Sequence, residues 1–237
     1  EHCIFQPAKE LGTVASFGHF FNQTEINNPR SNEFGRLIPA EHRLISFENL
    51  MLEEPDQCLE QRGFEAIKSY GDSWNDGFRS LRNLIHQLHS LDIVTQMAMD
   101  WGPDLIVFAR PDLRYLDSLR GGLMQMSDVG GDVALVPSWQ HWEGGLNDRF
   151  AICTRGAAVT YGRRIYYAID YCSRNQAPLH AELLLKDRLV TAGVECLFMD
   201  ARARRIRFDG SLWAEDFAGI DIHSKKQSKN FWHRILG

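Results

Sequence analysis

The run DLIVFARPDLRYLDSL, Asp104 to Leu119, decides how this chain is read. Leu105 to Ala109 is unbroken and apolar, the pattern of a strand covered on both faces. Arg110 and Pro111 end it, because proline has no N–H to give to a neighbouring strand. Asp112 is thereby placed at the carboxyl end of a strand, where open α/β sheets gather their ligands. A carboxylate there can meet a metal or a ligand hydroxyl; the plainer alternative is that it caps the next turn. Arg110 and Arg114 flank it and can either pair it off or add positive charge for an anion.

Similar short apolar runs recur on both sides: TVASFG (13–18), HRLISFE (42–48), DVALVP (132–137), RFAIC (149–153) and VECLFMD (194–200). Stretches of helical period lie between them. From Gly77 to Trp101, residues Leu81, Leu84, Ile85, Leu88, Leu91 and Val94 fall on one stripe. GAAVTYGRRIYYAIDYC (156–172) and APLHAELLLKDRLVTAG (177–193) read as helices too, the second opening after Pro178 and closing at Gly193. Strands alternating with helices predict an α/β fold, Rossmann-like, with a mainly parallel central sheet flanked by helices. The polar stretch Asn22 to Arg36 reads as a loop, either a mobile flap or a surface excursion.

Composition narrows the classes. With 237 residues, 44% apolar and 24% charged, the chain fits one globular domain over residues 1–237. The net charge of −5 and dispersed basic residues predict no nucleic-acid partner. The exception is the basic, partly aromatic tail HSKKQSKNFWHRILG (223–237), read as a solvated arm. Five cysteines without a CxxC pair argue against structural zinc or a disulfide framework and fit a reducing, cytoplasmic setting. No run reaches the ~20 apolar residues of a transmembrane segment.

A second stretch also leaves from a strand end: VPSWQHWEGGLNDRF, Val136 to Phe150. Trp139 and Trp142 offer flat apolar faces suited to an acceptor sugar, with Asn147 as a polar contact. Asp148 precedes the RFAIC strand, where it can accept a proton or hold an acceptor hydroxyl. The alternative is a loop pinned by buried tryptophans, with Asp148 paired to Arg149. Ser80, Asn83 and Gln87, in the first turns of the long helix, are weaker candidates for holding a donor. His86 and His89 read as ordinary helix residues, and His180 with Glu182 as a helix start, since no PCxxC follows. The GxGxxG, GxxxxGK[ST] and GxSxG fingerprints are absent.

Taken in order, LIVFARPDLRYLD and GGLNDRFAIC resemble the motifs of a group of GT-A-like glycosyltransferases, found in bacteria and some large DNA viruses, with RPDL-type and NDRF-type signatures. SFGHFFNQ is similar to their early strand, SLRNLIHQLHSL to their long helix, and residues 181–210 to their closing helix, strand and arginine-rich ending. The resemblance implies a nucleotide-sugar donor, a glycan or glycoconjugate acceptor, and a divalent cation, Mn²⁺ or Mg²⁺. Asp112 matches the metal or diphosphate carboxylate, with Arg110 beside it on the donor, and Asp148 matches the acidic residue near the acceptor. Arg114 stands where the wider GT-A pattern has a second acid. Such folds open with a strand that cradles the base, whereas Glu1 to Gly12 reads as loop or helix; either an initial strand lies outside this sequence or TVASFG is the second strand of a shortened domain. The competing expectations are a metal-dependent phosphoesterase or nucleotide hydrolase, which calls for clustered Asp and His ligands, and a non-catalytic carbohydrate-binding domain.

Overall fold

A computed structural model describes residues 2–28, 32–37 and 40–217. The basic tail therefore lies outside the described residues. The elements run α1 (Phe5–Lys9), β1 (Phe17–Phe21), β2 (Glu25–Asn28), β3 (Glu33–Arg36), β4 (Asn49–Glu53), α2 (Gln57–Gln61), α3 (Phe64–Lys68), α4 (Arg79–Trp101), β5 (Leu105–Phe108), β6 (Leu113–Tyr115), α5 (Arg120–Ser127), β7 (Val133–Pro137), β8 (Ala151–Thr154), α6 (Arg155–Gly162), α7 (Ala168–Asn175), α8 (Ala181–Thr191), β9 (Glu195–Met199) and β10 (Ala203–Arg205).

The fold is mixed α/β, and its largest sheet is mixed as well. The order is β5-β8-β7-β9, with β8 antiparallel to both β5 and β7, and β7 parallel to β9. This corrects the expected mainly parallel sheet. Ala151 to Thr154 are all buried, and a strand covered on both faces is apolar throughout whichever way it runs, so its direction leaves no mark on the sequence. Along β7 and β8 alternate residues serve opposite faces. Ala134, Val136, Ala151 and Cys153 pack towards α6 and α8, whereas Val133, Leu135 and Ile152 pack towards α5.

Smaller pairings surround this layer. β1 and β4 form a parallel pair, with Phe21 opposite Glu53. The second strand falls at Asn49–Glu53, after the expected HRLISFE run, whose first residues form a short 3-10 turn over Glu41–Leu44. Asn22 to Arg36 is no plain loop: β2 and β3 pair antiparallel in it, Glu25 opposite Arg36. β6 and β10 form a short antiparallel pair beyond Pro111. Helix α4 keeps its expected length and stops at Gly102, whose φ of 81° is left-handed. The expected single helix over 156–172 is instead α6, a 3-10 turn at Arg164–Tyr167, and α7.

Helices α4 and α6 cross where α6 has a glycine. A Cβ at Gly162 would overlap Thr95 Oγ1 and come within 3.1 Å of the Phe108 ring. Gly162→Ala gains about 1 kcal/mol of helix propensity but overpacks a dry contact at a cost of about 1–3 kcal/mol. A net loss of stability is expected in urea denaturation; an unchanged or raised midpoint would show that the two helices can part.

Candidate active site

The sheet and α4 bring Asp112 and Asp148 into one polar network, joined by a side chain on the helix. Asp112 follows β5 and is gripped on both oxygens by its neighbour: Arg110 Nε donates to Oδ1 at 2.9 Å and Nη2 to Oδ2 at 2.7 Å. Arg110 Nη1 reaches Gln87 Oε1 at 3.3 Å. Gln87 Nε2 in turn donates to Asp148 Oδ2 at 2.9 Å. An amide can accept from a guanidinium and donate to a carboxylate at once, as neither a carboxylate nor an ammonium group can.

Asp148 is buried, and its partner is not its neighbour. Arg164, fully buried, points Nη2 at Asp148 Oδ2 (3.2 Å) and Nη1 at the Tyr161 carbonyl (2.7 Å). The Tyr161 hydroxyl donates to the Asp148 carbonyl at 3.1 Å while its ring stacks on Phe108 of β5. Arg149 turns the other way, to Glu215 at 3.4 Å and over the Trp139 ring at 5.0 Å. In place of the alternative Asp148 to Arg149 pair stands a contact sixteen residues away in sequence.

Around Asp112 the charge is mostly arginine. Arg205 of β10 places Nε 3.5 Å from Asp112 Oδ2, and both Arg205 and Arg207 face Glu33 of β3, at 4.0 and 2.6 Å. Burial pushes the Asp112 carboxyl up, but the Arg110 charge and hydrogen bonds, with Arg205 behind them, outweigh it and hold it below the usual carboxylate range. Burial pulls Arg205 down, against Asp112. Its Nε is buried without a hydrogen-bond partner, so this guanidinium is undersupplied with acceptors. Arg114 sits on β6 opposite Arg204 with an exposed side chain.

Asn83, Gln87, Arg110, Asp112 and Arg205 line a cleft of about 2980 Å³ between β1 and the open edge of β5. Asp148 does not line it. It stands behind Gln87, on the side of the loop that leads into β8, so the two carboxylates share a wall and not one chamber. The residues at Asp112 do not fit a resident divalent ion. Both oxygens are spent on Arg110, and among the described residues Asp112 belongs to no cluster of three or more carboxylate, imidazole or thiol ligands.

One such group exists elsewhere: His19 of β1, Glu53 of β4 and His89 of α4. His89 Nε2 lies 2.7 Å and His19 Nε2 3.3 Å from the same Glu53 oxygen. Arg62 Nε donates to His89 Nδ1 at 2.8 Å. A guanidinium cannot accept, so the His89 proton sits on Nε2 and points at Glu53. The cluster is a hydrogen-bonded relay continued by Arg62 to the buried Asp92 (2.7 Å).

Two expected sugar contacts are corrected. Trp139 is 1% exposed; its indole N–H donates to the Ala201 carbonyl at 2.9 Å, and Phe217 packs against its ring. Asn147 is equally buried: Nδ2 donates to the Trp139 carbonyl at 2.7 Å, and Oδ1 accepts from the Arg149 N–H. Both shape the loop from within, because a large ring and an amide with internal partners do more there than in water. Trp142, 54% exposed, is free to meet a ligand. At the start of α4 a further correction holds. The Asp76 carboxylate accepts from both the Ser80 N–H and hydroxyl, and Asp72 accepts the Trp74, Asp76 and Phe78 N–H groups. The protein's own carboxylates occupy the helix end that a phosphate would take.

The group that sequence reading passed over is Glu182, in the first turn of α8. Leu146 N–H donates to its carbonyl at 3.0 Å, and a Cβ on Gly145 would lie 2.5 Å from its carbonyl carbon, so only glycine lets the loop lie this close. Burial, then the Asp148 charge, push its carboxyl up to about 7, against Arg149 and Arg164. The only sequence signal was an acid in a helix's first turn, which is ordinary.

No family model matches the chain, and no curated protein matches it. Among solved structures it is similar to that of mouse xyloside xylosyltransferase 1 in the apo form, at 10% identity and a TM-score of 0.40, over 67% of this chain. The chain spans 65% of that structure's length.

Two stability outcomes follow from the buried charges. Asp148→Ala strands Arg164 and is expected to cost about 3–5 kcal/mol in chemical denaturation; a loss under about 1 kcal/mol would mean that Arg164 does not depend on it. Glu182 is raised from 4.5 to about 7 on folding, so between these values the folded state holds more protons and stability falls as pH rises. Glu182→Gln removes that fall. The variant should match the native protein below pH 4.5 and exceed it above pH 7 by up to ~3 kcal/mol; parallel curves across pH would contradict the shift.

Proposed function

We propose that the chain is a glycosyltransferase moving a sugar from a nucleotide-sugar donor to a hydroxyl of a glycan or glycoconjugate acceptor. The observation that carries the reading is the Gln87 bridge, which sets an arginine-rich cleft and a buried carboxylate site back to back. Glycosyl transfer needs a cationic environment for the departing diphosphate, and the arginines of the cleft offer one.

On the donor side, Arg110 and Arg205 face the cleft beside Asp112. As the anomeric bond breaks, charge gathers on the diphosphate, and guanidiniums already in place stabilise it without reorganising. They bind phosphate oxygens in pairs, which also fixes the direction of departure. Arg205, partly exposed to the cleft and with an Nε that makes no hydrogen bond, can turn donors to such an anion. A Mn²⁺ or Mg²⁺ ion at Asp112 would have to displace the Arg110 fork, and no step is assigned to it. Asn83 and Gln87 line the cleft from α4, which supports Asn83 as a donor contact and Gln87 as the group that holds Arg110.

On the acceptor side, Trp142 offers an exposed face to a sugar ring, next to the loop that holds Asp148. The phosphoesterase reading asks for several ligands around two metals. Asp112 has no such company among the described residues. A carbohydrate-binding domain has no need of a diphosphate site, which paired guanidiniums in a cleft suit.

Thermal shift separates the three. UDP or GDP at a hundred times Kd should stabilise the protein by about 2.7 kcal/mol, with or without Mn²⁺, and Arg205→Ala should weaken that binding at least about tenfold. Stabilisation by free glycans alone would favour a binding domain. Stabilisation that requires the metal and accompanies release of inorganic phosphate would favour a hydrolase.

A further inference from the structure

We propose that Ser90 is a nucleophile in the cleft that takes the acyl group of a short-chain carboxylic ester, with His19 as its base and Glu53 as the residue that positions that base. The proposal does not rest on the transferase reading. Ser90 and His19 both line the cleft, one from α4 and the other from β1. Ser90 Oγ lies 2.9 Å from His19 Nδ1, and His19 Nε2 lies 3.3 Å from Glu53 Oε2 on β4. A hydroxyl, an imidazole and a carboxylate in that order give a weak nucleophile its base and the base its orienting group, whatever their order in sequence.

The far end of the cluster fixes where the protons sit. Arg62 Nε donates to His89 Nδ1 at 2.8 Å, so His89 carries its proton on Nε2 and gives it to Glu53 Oε2 at 2.7 Å. A carboxylate only accepts. The His19 nitrogen that faces Glu53 therefore takes the proton, and the Nδ1 lone pair is left towards the Ser90 hydroxyl. The His19 ring is held in this orientation by edge contacts with Phe21 and His89, at 5.1 and 5.3 Å between centroids. His19 Nε2 is buried and makes no hydrogen bond at rest; a ring that has accepted a second proton can turn this N–H to Glu53.

Ser90 is placed differently from the other hydroxyls of its kind. Inside a helix such a side chain ordinarily returns to the carbonyl four residues back, as Thr95 does to Leu91 and Thr191 to Asp187. Ser90 instead meets a side chain of another element. It also stands where the lining of the cleft changes. Along α4 the lining runs from Asn83 and Gln87, which holds Arg110, to Ser90 and then to Leu91, Val94 and Ala98, with Phe17 and Ile106 also in the wall. The part beyond Ser90 is apolar, which suits a short acyl chain.

In the step itself the Ser90 oxygen bonds to the ester carbonyl carbon while its proton passes to His19 Nδ1. The adduct then breaks its bond to the alcohol oxygen, which leaves with the electron pair and takes the proton from His19. Water, deprotonated by the same nitrogen, releases the carboxylic acid and restores the Ser90 hydroxyl.

The test uses the full chain with p-nitrophenyl butyrate as substrate and a fluorophosphonate as irreversible probe, from which the Ser90 oxygen displaces fluoride. The native protein is expected to release nitrophenolate and to carry the phosphonyl group on Ser90, located by peptide mapping. Ser90→Ala should lose the label and fall to the solvent background, and His19→Gln should slow labelling at least about 100-fold. Glu53 from β4 and His89 from α4 are the charged groups that face the His19 ring; burial pulls it below its ordinary 6.5, against Glu53. Labelling should therefore rise with pH through a limb below 6.5. Glu53→Gln should move that limb lower still, which a loss of packing alone does not do. Absence of label from Ser90 in the native protein, which needs no substitution, overturns the inference. So does labelling of Ser90 in His19→Gln at the native rate. Binding of UDP or GDP is read separately: its failure removes the transferase reading and leaves this site standing.

Discussion

A guanidinium without access to water governs this protein's interior. Arg164 is fully buried, and a charge in that position persists only with a partner at hand. Asp148 is that partner, Tyr161 lies under the guanidinium at 4.7 Å, and the Tyr161 carbonyl takes a second N–H. Tyr161 also stacks on Phe108, so the sheet, the helix behind it and the loop carrying Asp148 are locked by one set of contacts. The Asp148 side is stiff because the core cannot relax without exposing or orphaning a charge.

From this anchor the rest of the site is reached through Gln87. Its amide stands between an arginine–carboxylate pair open to the cleft and another sealed in the core. Direct contact between those pairs would set like charges together; the neutral amide satisfies both and keeps them apart. The division between the arginine-rich wall of the cleft and the buried carboxylate behind it thus comes from a single uncharged residue on a helix whose packing is fixed by Leu84, Ile85 and Leu88.

How much of this was legible varies residue by residue. Arg110 and Asp112 could be placed at a strand end because proline stops a strand and apolar runs mark its extent. The length of α4 could be read because its stripe and its terminal glycine are local. Trp139 and Trp142 looked alike in sequence, yet one is a buried pillar and the other a surface ring. Nothing in a short loop's composition says which of two aromatics turns inward. Asn147 misled for the same reason, since a buried amide with internal partners reads as an exposed polar contact. Arg205 was hidden in an arginine-rich run and emerges only when β10 pairs with β6 beside Asp112.

The sequence by itself determined the alternation of strands and helices, the strand-end position of Asp112 and the polar loop before β8. These follow from periodicity and from the backbone limits of proline and glycine, which act over a few residues. Only the tertiary structure decided the direction of β8, the choice of Arg164 over Arg149 as partner to Asp148, and the environment that sets Glu182 apart. Each depends on groups distant along the chain, and burial, pairing and charge act through space without leaving a local pattern.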